Sequence, residues 1–362
     1  MGKGAKIVGI VEEKVTELKK YKPELTRKSD FDRFWQMAVE EIFPSNNGVP
    51  SWRIDVESRE ISEEYQVSFD LELEQYPYPI DKVKVYKASL EASDGTLLHG
   101  WYLHPTDADK DNKVPGLVRF HGYSSNKGKI SELLLWALQG YAILAMDVRG
   151  QCGDTPDARV YSSGAFSGWL TLGLDSPIEY YYRQVYLDSI QLTEALARRP
   201  EIDPVKIGLF GNSQGGALAI VSAAILTHFA KQFRDITARI AAVNAGIPFL
   251  ADMRRAYKEH NDGPWMEFDW YFRMYDPLHE REDEIFELLS YFDIMNFAPW
   301  VNCPVLVSVG LKDTACPPPT IFALYNHLNG EKEIVPYADY GHESNDNHVD
   351  KQIIFFAEKL LG

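Results

Sequence analysis

Apolar and polar positions change their period along this chain. From Val11 to Tyr21 and from Ser29 to Phe43 the pattern is that of amphipathic helices, with Ser29 as the candidate cap of the second. Alternation with a period of two follows in Gln66 to Gln75, Lys82 to Glu91 and Thr96 to Leu103, with Asp94-Gly95 as a turn. These predict an antiparallel start to a sheet. From Gly116 onward, short apolar runs alternate with helix-like stretches: Gly116–Phe120, Ala142–Val148, Lys206–Phe210, Ile240–Asn244, Pro304–Gly310 and Glu333–Tyr337, then a last helix from about Val349 to Leu361. Continuous apolar strands are those covered on both faces. The pattern therefore predicts an α/β fold with a mostly parallel central sheet flanked by helices.

Two stretches interrupt that alternation. Residues 151–177, rich in Gly and Ser, exceed an ordinary connection and predict a functional or interface loop. Residues 248–300 read as a helical insertion containing Trp265, Phe268, Trp270, Tyr271, Phe272 and Tyr275, a density that serves core packing and can also wall a site entrance. Length 362 and 45% hydrophobic residues suffice for one decorated domain over 1–362, with an N-terminal helical extension over 1–65.

The chemistry starts at Lys206–Gly216. Five strand-like residues lead into Gly211-Asn212-Ser213-Gln214-Gly215 and then an Ala-rich helical stretch, the arrangement of a nucleophile elbow. A serine held out on so sharp a turn leaves no room for side chains at 211 and 215, which are glycines. Ser213 is the candidate nucleophile. A buried strand ends at Gly310 with Asp313 three residues on, and the loop after the last strand carries Gly341-His342-Glu343. The chain order Ser213, Asp313, His342 is that of α/β hydrolases. His348 is the rival base, but at the start of the last helix it reads as a cap or surface residue. An oxyanion hole needs two N–H donors, and Gln214 and Tyr123, the latter in the turn His121-Gly122-Tyr123 after a strand, are the candidates.

Taken together, His121-Gly122-Tyr123, Arg149-Gly150-Gln151, the Ser-Gln-Gly elbow, Asp313 followed by Cys316-Pro317-Pro318, and His342-Glu343 resemble carbohydrate esterase family 7, the acetyl xylan esterase and cephalosporin C deacetylase family. Asp30–Trp35, Tyr180–Arg183, Pro248–Leu250 and Ser290–Asp293 extend the likeness over nearly the whole chain. The resemblance implies a serine esterase acting on acetylated xylo-oligosaccharides or cephalosporin C, with Ser213, Asp313 and His342 catalytic and Tyr123 and Gln214 as backbone oxyanion donors. It assigns Arg149, Gln151 and Glu343 to supporting positions, and implies hexamers joined through 151–177. Asn212 departs from the glycine usual there. Tyr123, Gln214 and Phe249 are expected to close a pocket sized for acetyl. Arg149 is expected to be partly buried, pairing with Glu343 or another acid to brace the loops.

Charge and cysteine use narrow the partners. A net charge of −16 disfavours nucleic-acid and membrane binding. Three cysteines cannot all pair and lack metal-ligand spacing, so no disulfide, metal or organic cofactor is expected, and a reducing cytoplasm is the default compartment. The N-terminus has no apolar stretch of signal-peptide length. The alternatives are a general short-chain carboxylesterase, a prolyl-oligopeptidase-like peptidase and a non-catalytic binding protein. A peptidase of that type carries a large gating domain first, whereas about 115 residues precede the first parallel strand here.

Overall fold

The computed structural model describes residues 2–44, 53–54, 61–62, 67–162, 164, 168–260 and 262–362. Helices α1 (Gly2–Leu18) and α2 (Phe31–Glu40) open the chain, followed by a short antiparallel pair, β1 (Arg53–Ile54) with β2 (Ile61–Ser62). The region 1–65 is thus not purely helical. Strands β3 (Glu72–Gln75), β4 (Val83–Glu91) and β5 (Leu97–Pro105) begin the main sheet. Next come β6 (Val114–Phe120), α3 (Ile130–Ala137), β7 (Ala142–Met146), α4 (Tyr181–Ala197), β8 (Ile202–Asn212), α5 (Gln214–Phe229) and β9 (Ile240–Gly246). The insertion supplies α6 (Met253–Glu259), α7 (Met266–Tyr275) and α8 (Glu282–Leu289), and β10 (Val305–Gly310), α9 (Pro318–His327), β11 (Lys332–Tyr337) and α10 (Asp346–Phe356) complete the chain.

Nine strands run in the order β11-β10-β9-β8-β6-β7-β5-β4-β3. Pairing is parallel from β11 to β7 and antiparallel from β7 to β3, as the change of period predicts. The first expected strand is shorter than its alternation. Gln66 lies outside the described residues, and only Glu72–Gln75 pair, at a largely exposed sheet edge where one neighbour alone supplies hydrogen bonds. The second helix starts at Phe31, so Asp30 rather than Ser29 takes the cap position, and its carboxylate accepts from the Tyr291 hydroxyl at 2.5 Å instead of capping.

Helix α4 is buried along all seventeen residues, which explains its mixed sequence: a helix enclosed on every side has no solvent face to keep polar. It lies between the sheet and α2, where the Trp35 ring meets Tyr186 and the indole N–H donates to Tyr291 O at 2.9 Å. Helix α2 therefore closes the core rather than decorates it. On the other face, Trp136 of α3 packs on Phe210 of β8 and Phe356 of α10. With strands parallel, the loops after β6, β8, β10 and β11 gather at one edge of the sheet, where α/β folds place their ligands.

Candidate active site

Ser213 sits between β8 and α5 with φ 57° and ψ −120°, a positive φ that costs a serine roughly 1–3 kcal/mol. The turn is as tight as the sequence requires. A Cβ on Gly211 would lie 2.4 Å from Phe120 O, and one on Gly215 2.2 Å from the same oxygen. Backbone bonds hold the bend: Ser213 N–H donates to Gly246 O at 2.8 Å and Phe249 N–H to Ser213 O at 3.1 Å.

His342 lies 2.9 Å from Ser213 Oγ through Nε2 and 2.8 Å from Asp313 Oδ2 through Nδ1. The buried Asp313 carboxylate also accepts the N–H groups of Ala315 (3.0 Å) and Cys316 (2.7 Å) on Oδ1, which fixes the oxygen facing the imidazole. The arrangement has Asp313 taking the Nδ1–H and leaving Nε2 free to receive the serine proton. His348 is not part of it. It is buried, not superficial, between Asn244 Nδ2 and the Tyr337 hydroxyl, each at 3.1 Å. Burial, with Lys351 adding like charge, pushes its imidazole down to about 4.

Tyr123 and Gln214 flank Ser213, and neither backbone N–H has an intrachain acceptor among the described residues. Their surroundings are heavily braced. The buried Gln214 side chain accepts from Gln151 Nε2 and from the Tyr182 hydroxyl, both at 2.8 Å. Gln151 Oε1 in turn accepts Ser124 N–H at 3.1 Å, so one glutamine ties the turn after β6 to helix α5. The neutral His121 ring spans the same turn, Nδ1 to Gly122 O and Nε2 accepting Val148 N–H, both at 2.8 Å, and burial lowers its pKa.

Arg149 is fully buried, more so than the sequence suggested, and its partners are not Glu343. The guanidinium forks onto Asp188 (Nε 2.7 Å, Nη2 2.9 Å) and Asp94 (Nη1 2.6 Å, Nη2 3.1 Å), and reaches Asp157 at 3.4 Å. Glu343 is exposed and lines the cleft beside His342. Phe249 also differs from expectation. Its ring is buried behind Tyr123 (6.1 Å) and against Trp265 (4.9 Å), so Ile247, not Phe249, reaches the cleft surface. Asn212 makes a loop contact: its Nδ2 donates to Ser344 Oγ at 3.2 Å, and its Oδ1 occupies the space a Cβ on Gly246 would need.

The triad opens onto a cleft of about 1370 Å³ lined by Tyr123, Glu267, Trp270 and His342 among others. Of the insertion aromatics, Trp265, Phe268 and Phe272 are core, while Trp270 is 52% exposed at the cleft. Two neighbours escaped sequence reasoning. Cys316 is buried with its thiol facing Ser213, and burial pushes that thiol well above its usual range. Glu267 hydrogen-bonds the Tyr123 hydroxyl; only its place amid aromatics hints at a half-buried carboxylate. Among the described residues, the donor atoms close enough to share a metal ion are those of Asp313, Cys316 and His342, and two of these three residues are already bonded to each other.

Comparisons with known proteins point to one family. Residues 57–360 match the acetyl xylan esterase family. An acetyl xylan esterase from a Paenibacillus species superimposes with a TM-score of 0.82 at 38% identity, covering 95% of this chain and 99% of that one. Acetyl xylan esterase 1 from a Thermoanaerobacterium species gives 0.81 at 32% identity, covering 95% and 98%. An acetyl esterase of Xylanibacter ruminicola is 26% identical over 337 residues, 91% of this chain and 67% of that protein.

Proposed function

Because the chain belongs to the acetyl xylan esterase family and is a carboxylic-ester hydrolase, we propose that Ser213, His342 and Asp313 remove acetyl groups from acetylated carbohydrates through an acyl-enzyme. The observation that carries this reading is the relay from Ser213 Oγ through His342 to Asp313, with contacts of 2.9 and 2.8 Å. His342 takes the hydroxyl proton as Oγ attacks the acetyl carbonyl. The N–H groups of Tyr123 and Gln214 hold the oxyanion. The sugar alcohol leaves with the proton from His342, and a water repeats the sequence to release acetate and restore Ser213.

Acetylated xylo-oligosaccharides fit best, and the acetoxymethyl group of cephalosporin C offers the same bond. A cleft of about 1370 Å³ is wider than the roughly 300–1000 Å³ of ordinary small-molecule sites, which supports an alcohol part of several sugar rings. The exposed Trp270 ring offers one of them a stacking face. Acetate release from acetylated xylo-oligosaccharides, cephalosporin C and aryl esters of increasing acyl length tests this. With kcat/KM as the measure, acetate should be favoured over butyrate and octanoate, since overfilling a packed pocket costs about 1–3 kcal/mol, or roughly 5- to 150-fold. Octanoate as best substrate would make the protein a general carboxylesterase.

The reading extends to a hexamer in a reducing cytoplasm. Unpaired Cys152, Cys303 and Cys316 suit that compartment, and the 88%-exposed Val160 in the 151–177 segment suits burial between subunits. Light scattering should give six times the 41.2 kDa chain mass; a monomer at working concentration would refute the assembly.

A further inference from the structure

Two separate stretches of chain converge on the Glu267 carboxylate of α7, which lines the same cleft as Ser213. The Tyr123 hydroxyl donates to Glu267 Oε1 at 2.5 Å and accepts Trp169 N–H at 2.8 Å. Glu267 Oε2 accepts Leu170 N–H at 2.8 Å. The carboxylate lies where Gly168, at φ 95°, has no side chain: a Cβ there would stand 1.9 Å from Glu267 Cδ. Trp169 is itself fixed, its indole N–H donating to Gly150 O at 3.0 Å and its ring meeting Tyr123 edge-on at 5.2 Å. Glu267 belongs to the first turn of α7, where the helix dipole favours an anion.

We infer that Glu267 is a positioning residue: it holds Tyr123, and so the N–H read above as an oxyanion donor, by tying the turn after β6 to α7 and to residues 168–170. The inference rests on that reading of Tyr123. Among the described residues, no other charged side chain bonds to Tyr123, and its phenol keeps its proton, because burial and the neighbouring carboxylate both push the hydroxyl pKa up. Burial also raises the Glu267 carboxyl to about 6, which leaves it an anion and an acceptor of both donors at neutral pH. A neutral amide at 267 would turn an N–H₂ toward one of the two donors. The loop would then relax, and a displacement near 1 Å at a reacting centre is enough to cost about 100-fold.

The test is Glu267→Gln and Glu267→Ala beside Tyr123→Phe, which keeps the backbone N–H but loses the hydroxyl. Turnover (kcat) on an acetyl ester should fall roughly 10- to 100-fold in each, with KM within about threefold, because the donor acts on the transition state. Affinity for methylboronic acid, whose tetrahedral adduct on Ser213 places an oxygen in the oxyanion hole, should fall in parallel. The double variant Tyr123→Phe/Glu267→Gln should be no worse than its poorer parent. A lower melting point with unchanged kcat and boronate affinity would make Glu267 merely structural and overturn the inference. Gln151→Ala separates the two levels of argument, since Gln151 braces the same turn through Ser124. If Gln151→Ala loses kcat and boronate affinity while Glu267→Gln keeps both, the oxyanion reading stands and the role of Glu267 falls. If neither substitution changes either quantity, the oxyanion reading itself fails.

Discussion

Replacing Ser213 by alanine is expected to lower kcat by about four to six orders of magnitude while leaving the melting point near or above that of the parent. The loss follows from removing the oxygen proposed to form the acyl bond, 2.9 Å from His342 Nε2. The fold has no reason to suffer, because the turn is held by backbone bonds from Gly246 and Phe249 that alanine keeps. His342→Ala should be as severe. Asp313→Asn should cost about 10⁴, because an amide facing Nδ1 favours the tautomer with its proton on Nε2, which cannot accept from serine. Since the three act as a unit, Ser213→Ala/His342→Ala should be no slower than either single variant. His348→Gln is the contrast. Its ring lies between Asn244 and Tyr337, so turnover should stay within a few fold of the parent. A dead His348→Gln beside an active His342→Ala would remove His342 from the role of base.

What could be read from the sequence was what local sterics and strand order dictate. The elbow is legible because its requirement is contained in five residues: Gly211 and Gly215 face Phe120 O so closely that no other residue fits. Asp313 and His342 are legible because parallel strands deliver the loops that follow them to one edge of the sheet. Pairings made across the fold are not legible. The acids around Arg149 come from positions 94, 157 and 188, on a turn, a loop and a helix, and nothing in their spacing selects them over Glu343, which lies beside the active histidine. Burial is equally non-local. His348 is enclosed only because α10 packs over β9, and Phe249 recedes from the cleft only because Tyr123 and Trp265 stand around it. The extent of β3 depended on how many residues found a neighbour, which alternation does not encode.

Arg149→Met is expected to be the most destabilising single substitution near the site, by about 3–5 kcal/mol. The side chain is wholly buried and is the cation paired with Asp188, Asp94 and Asp157, whose side chains are only 7%, 24% and 12% exposed. Methionine fills much of the volume, so the cost is that of leaving carboxylates in a dry interior with no cation. Arg149→Lys should recover only part, because a single ammonium cannot fork onto two carboxylates at once. The pH dependence identifies the cause. Burial holds the Asp188 carboxyl above its usual value even with Arg149 beside it, and without the guanidinium it rises further. A carboxyl whose folded pKa exceeds its unfolded value binds its proton more tightly in the native state. Stability then falls as pH rises from about 4 through the folded pKa. The deficit of Arg149→Met relative to the parent should therefore be smallest near pH 4–5 and largest at neutral pH, read from denaturant midpoints across that range. Glu343→Gln, in contrast, should leave the midpoint unchanged. A deficit independent of pH would mean that lost packing, not stranded charge, accounts for the instability.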